Sequence, residues 1–111
     1  MLRHFGCAPK SLAVSTVTVD GAALRSGKQP DLLKIDVEGY ELKVLRGAQR
    51  TIETKKPILM LECFGDSRAE MVQLLRSLGY LLLNVDREGA HDLTGASNIV
   101  ALRGRIDFAA I

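Results

Sequence analysis

Carboxylates stand where apolar runs stop. Asp36 lies in the run Asp31–Val37 (DLLKIDV), and Glu38 follows it directly. Glu62 sits near the end of a second run, Ile58–Phe64 (ILMLECF), and Asp20 closes Leu12–Asp20 (LAVSTVTVD). A carboxylate at the end of a strand can accept hydrogen bonds from a cationic or hydroxyl-bearing ligand. It can also take a proton from a nucleophile if its pKa is raised. Acids near a helix N-terminus, here Glu38 and Glu41, are favoured by the helix dipole as well. The expectation is no metal: the two cysteines, Cys7 and Cys63, fit no metal-ligand spacing. Should Asp36, Glu38 and Glu62 converge, their oxygens would suit Mg2+ or Ca2+.

The elements that must hold these acids follow from hydrophobic periodicity. Leu12–Asp20 is rich in β-branched residues on alternating faces and predicts a strand. The stretch GAALRSGKQP reads as a turn with one short helical turn, closed by Gly27 and Pro30. Asp31–Val37 predicts a strand buried on both faces. Leu42, Leu45, Ala48 and Ile52 recur every three or four residues and predict one helix, with Glu41, Lys43 and Arg46 on its other side. Gly47 inside that helix costs about 1 kcal/mol against alanine, which a close approach to the sheet would explain. Lys55 and Lys56 suit the negative helix end, and Pro57 stops it. Ile58–Phe64 predicts a strand. Ser67 and Glu70 read as a capping box for a helix with the stripe Met71, Leu74, Leu75 and Leu78, ended by Gly79. Tyr80–Asp86 and Asn98–Arg103 predict a final strand pair joined by a long polar loop. Strands alternating with helices predict an α/β fold with a mostly parallel sheet and right-handed crossovers.

Composition bounds the function. The chain has 111 residues, 47% of them hydrophobic and 25% charged, which fits one soluble domain. A net charge of +2 does not point to nucleic acid; Arg103 and Arg105 read as a small basic spot on a solvated tail. No run reaches the roughly 18 apolar residues of a membrane span. The N-terminus lacks a continuous signal-peptide core, and the cysteines look like isolated thiols, so the expected location is the cytoplasm.

The segment DLLKIDVEGYELKVLRGAQ (Asp31–Gln49) resembles the signature of the FkbM-type methyltransferases, which use S-adenosylmethionine. The likeness continues through KPILMLECF, LLRSLGY and NIVAL, and VSTVTVDGAAL is similar to an upstream family segment. The resemblance implies a Rossmann-like class I methyltransferase fold, with a mostly parallel sheet, flanking helices and a terminal antiparallel strand. It implies O-methyl transfer to a small-molecule or glycan hydroxyl acceptor. By that carry-over Asp36 and Glu38 are the catalytic candidates, orienting the acceptor nucleophile or helping to remove its proton. Asp20 and Asp36 are candidates for binding the donor, and Glu62 for binding the acceptor.

The family's glycine-rich loop, whose backbone amides cradle the donor, has no counterpart here: no G-x-G stands between a strand and a helix. The expectation is therefore one partial domain over residues 1–111, lacking the donor-binding half and weak or inactive alone. Without that half, Leu33, Ile35 and Val37 would lie on an unpaired sheet edge. Leu12–Asp20 would fold back over this edge, or the chain would self-associate through strand 31–37, or it would be poorly soluble. The alternative function is a non-enzymatic remnant or interaction module pairing through that edge.

Overall fold

The computed structural model describes residues 8–63, 65–86 and 92–104; Cys7, Phe64, Arg105 and part of the long polar loop lie outside them. In chain order the elements are α1 (Val19–Ser26), β1 (Leu32–Ile35), α2 (Glu41–Arg46), α3 (Gln49–Lys55), β2 (Ile58–Glu62), α4 (Arg68–Ser77), β3 (Leu81–Asn84) and β4 (Asn98–Leu102).

The four strands form one sheet in the order β1-β2-β4-β3. β1 and β2 are parallel, whereas β4 runs antiparallel to both β2 and β3. The mostly parallel sheet is thus corrected: two of the three pairings are antiparallel. The cause is a single strand. β1, β2 and β3, linked by helical crossovers, share one direction, and β4 returns against them. Because β4 inserts between β2 and β3 instead of adding at the rim, it turns both of its pairings antiparallel. The expected antiparallel pair β3–β4 is present.

The core lies on one face of the sheet. Ile35, Leu59, Leu61, Leu82, Ile99 and Ala101 point into it, against Leu42, Leu45, Ala48 and Ile52 and against Met71 and Leu75 of α4. Burial of these apolar side chains is the main stabilising term. The predicted apolar stripes therefore face the core as expected. β1 is not buried on both faces, however. Among the described residues no element covers the second face, where Leu32 is 50% and Ile58 42% exposed.

Three local predictions change. First, residues 11–18 form no strand, and a helix begins at Val19. Thr18 caps it, accepting a hydrogen bond from the Gly21 N–H at 3.0 Å. β-Branched alternation makes a strand only where a neighbouring strand offers backbone partners, and among the described residues none does. Second, the helix predicted through Gly47 is two, α2 and α3, joined by a turn at Gly47 and Ala48. Gly47 does make a close approach, but to the segment before α1 and not to the sheet: a Cβ there would lie 3.1 Å from Thr18 Cβ. Third, Ser67 adopts helical angles and makes no side-chain cap, while Glu70 pairs with Arg46 on α2. Gly79 ends α4 with φ +85°, as predicted. Arg103 is no solvated tail, since its guanidinium donates to the Ile52 carbonyl at 3.1 Å.

Candidate functional site

The parallel pairing of β1 and β2 sets two strand ends side by side. Ile35 is in register with Leu61, so Asp36 emerges next to Glu62. Glu38 follows two residues later in a tight turn. The three carboxylates converge: one oxygen from each of Asp36, Glu38 and Glu62 lies within 4.8 Å of the others. Asp36 and Glu38 are exposed and Glu62 half-buried.

The turn that carries Glu38 is unusual. Glu38 has φ +50° and Gly39 φ +98°. Glycine takes this left-handed region freely, but a glutamate there costs of order 1 kcal/mol or more. Glu41 holds the turn in place. It is only 2% exposed, and its carboxylate accepts the Gly39 N–H at 3.0 Å and, more weakly, the Val37 N–H at 3.4 Å. The acid expected on the outer side of the helix is therefore buried beneath the loop that presents Asp36 and Glu38. Sequence reasoning missed it because the helical stripe alone places Glu41 opposite the core. The usable signal was local, a glutamate two residues after a turn glycine with two backbone N–H groups to satisfy.

Glu62 is placed on the other side by its own supports. The next residue, Cys63, donates its N–H to the Ser97 carbonyl at 2.7 Å, and its carbonyl accepts from the Arg68 guanidinium at 2.8 Å. Arg68 also reaches the carbonyls of Leu93 and Ala96. Asp86 accepts the backbone N–H groups of Ser97 and Asn98, which fixes the start of β4 opposite Glu62. Burial pushes the Glu62 carboxyl above the usual value of 4.5, and the charges of Asp36, Glu38 and Glu41 push it the same way. A carboxylate so placed is a stronger proton acceptor than a solvated one.

Beside the acids lies a hollow of about 270 Å³, lined by Lys34, Asp36, Met60, Glu62, Val85 and Val100 among others. It has acids at one end and an apolar floor on the open face of the sheet. Such a surface suits a polar group attached to an apolar body, the acids favouring a neutral or cationic one and the Lys34 ammonium offsetting part of their field.

Asp20 lies apart from this cluster. Its two oxygens accept the N–H of Arg50 at 3.1 Å, the N–H of Thr51 at 2.8 Å and the Thr51 hydroxyl at 2.7 Å. It therefore caps α3 from outside, where the chain's own N-cap position, Ala48, has no side chain able to do so. Burial raises the Asp20 pKa, but the hydrogen bonds from Thr51 and Arg50 outweigh it and hold the carboxyl below 3.8.

The acid trio offers oxygen ligands of the kind Mg2+ and Ca2+ prefer, and the same negative field suits an organic cation. For S-adenosylmethionine the fit is partial. The acids suit its sulfonium, ammonium and ribose hydroxyls, while among the described residues no glycine-rich turn joins a strand to a helix to receive the rest. Among the same residues, no helix is long and apolar enough to cross a membrane.

Residues 9–82 match the family model of the methyltransferase FkbM domain. This is most of the chain, and the chain belongs to that family. No curated protein and no solved structure matches it.

Proposed function

We propose that this member of the FkbM methyltransferase family carries the acceptor end of an S-adenosylmethionine-dependent O-methyltransferase site. The observation that carries the reading is the convergence of Asp36, Glu38 and Glu62 at the carboxyl ends of adjacent parallel strands, where ligands of α/β sheets bind. When bound, S-adenosylmethionine supplies a methyl group on a positively charged sulfur. Asp36 and Glu38 would face that charge. Glu62, with its raised pKa, would take the proton of the acceptor hydroxyl. The hollow over Met60, Val85 and Val100 holds the apolar part of the acceptor, a small molecule or glycan derivative. Asp20, with its oxygens engaged by α3, has a structural role in this reading.

The donor loop must come from residues other than those described, so the chain binds the donor weakly, at about millimolar Kd, and transfers slowly. Calorimetry with S-adenosylmethionine, together with transfer of a labelled methyl group to a panel of neutral hydroxyl compounds, tests this. Label on an acceptor oxygen supports the reading. Sub-micromolar donor binding would contradict the view that the main donor contacts lie elsewhere, and no label on any acceptor at millimolar donor would contradict the catalytic role.

A second reading, a non-catalytic interaction module, is favoured by one observation: among the described residues, β1 has a strand partner on only one side. Its discriminating result is strand pairing without methyl transfer.

A further inference from the structure

We propose that residues 12–18 of one copy of this chain pair as an added strand with the outer edge of β1 in a second copy, reciprocally, to form a two-fold dimer. The inference does not rest on methyl transfer.

The edge comes first. Among the described strands, β1 is the rim of the sheet. Asp31 gives its carbonyl to the Ile58 N–H at 2.9 Å, toward β2. Backbone groups alternate along a strand, so the N–H and C=O of Leu32 and Lys34 face outward, where the described residues provide no partner. A strand presenting such a row is a template for another strand.

The occupant is on the same chain. Residues 8–18 are exposed throughout, with Leu12 at 85% and Val14 at 72%. Among the described residues, the backbone of 8–17 makes no hydrogen bond to another element. Yet Leu12–Thr18 has the composition of a strand: one leucine, two valines and two threonines around two small residues, Ala13 and Ser15. Seven extended residues span about 23 Å, against about 13 Å for the four of β1, so the arm can cover the whole edge.

The root of the arm decides which edge and which copy. Thr18 is fixed in the helix layer, packed against Gly47, and the Asp20 N–H donates to the Gly47 carbonyl at 3.0 Å. The arm therefore leaves its own body from the helix layer and not in the plane of its own sheet. Its next residue, Val19, shares with Leu33 of β1 an apolar hollow of about 470 Å³, also lined by Ala22 and Pro30. Two copies meeting rim to rim bring each arm to the partner's β1, and the interface is isologous. Lys34 on the rim guards against indiscriminate pairing, and the small polar Ser15 and Thr16 can lie beside it.

The test is sedimentation and light scattering of the whole chain over a wide concentration range, with amide hydrogen exchange read at Leu32 and Lys34. The expected result is a mass rising from 12.1 kDa to twice that value, with those two amides about tenfold slower to exchange as the dimer fills. The double substitution Val14→Pro, Thr16→Pro removes two donors from the arm and touches nothing in the folded body. It should abolish the dimer and the protection while leaving the circular dichroism of the monomer unchanged. A monomer at every concentration overturns the proposal. So does a dimer that survives the prolines, a dimer without protection at Leu32 and Lys34, or a monomer in which they are already slow, which would place the arm on its own sheet.

Discussion

Replacing Asp20 by alanine removes three hydrogen bonds from the start of α3 at once. Two are to backbone N–H groups that the helix itself cannot satisfy, and the third is to the hydroxyl of Thr51, a buried residue. Loss of an N-cap costs about 1 to 2 kcal/mol. The Thr51 hydroxyl, left without its carboxylate, adds about 1 kcal/mol. The sum is about 2 to 3 kcal/mol, a large fraction of the stability of a domain this size. Asp20→Asn should cost less, because the amide keeps one accepting oxygen. The pH dependence follows from the lowered pKa. A carboxyl depressed in the folded state stabilises above its unfolded value, 3.8, and that contribution is lost as pH falls through the folded value. The difference between wild type and Asp20→Asn should therefore shrink below about pH 4. Urea unfolding followed by circular dichroism at neutral and acid pH measures both effects. A cost below about 0.5 kcal/mol for Asp20→Ala would refute the capping argument and return Asp20 to the candidates for donor binding.

Glu41→Gln keeps the size of the side chain but turns one acceptor into a donor facing the turn N–H groups. It should destabilise by about 1 to 3 kcal/mol in urea unfolding, and a neutral effect would mean the turn holds itself. Glu62 titrates above 4.5 for burial and then for its acidic neighbours, so Asp36→Asn should lower the Glu62 midpoint seen by carboxyl-carbon NMR; an unchanged midpoint would separate the two groups. A carboxyl raised in the folded state opposes folding once ionised. Stability should therefore fall as pH rises from 4.5 through the folded Glu62 value, and Glu62→Gln should flatten that fall in urea titrations across the interval. Gly39→Ala, at φ +98°, should cost about 1 to 2 kcal/mol by the same unfolding assay, because no side chain is comfortable there.

The apolar runs around Leu33, Ile35, Leu59 and Leu61 marked β1 and β2 and put acids at their ends, so the candidates Asp36 and Glu62 were legible from residue types alone. Their meeting was not, since it depends on the register of Ile35 with Leu61, a pairing between residues 26 apart in the chain. The helical stripe through Leu42, Leu45 and Ile52 was equally plain, yet it said nothing of the break at Gly47, against which Thr18 packs from outside. Local pattern misled at Val14–Thr18 because β propensity expresses itself only against a neighbouring strand. It misled at Glu41 because a buried hydrogen bond outweighed the helical periodicity. The place of β4 between β2 and β3 belongs to the topology, and no short window of residues encodes it.

The rate of labelled-methyl transfer from S-adenosylmethionine to a hydroxyl acceptor, compared between the native chain and Glu62→Gln at saturating acceptor, addresses the acid cluster most directly. The account predicts slow transfer by the native chain, a rate about a hundredfold lower in the variant and an unchanged acceptor KM. Equal rates in the two proteins, or a loss that appears only in KM, would contradict it.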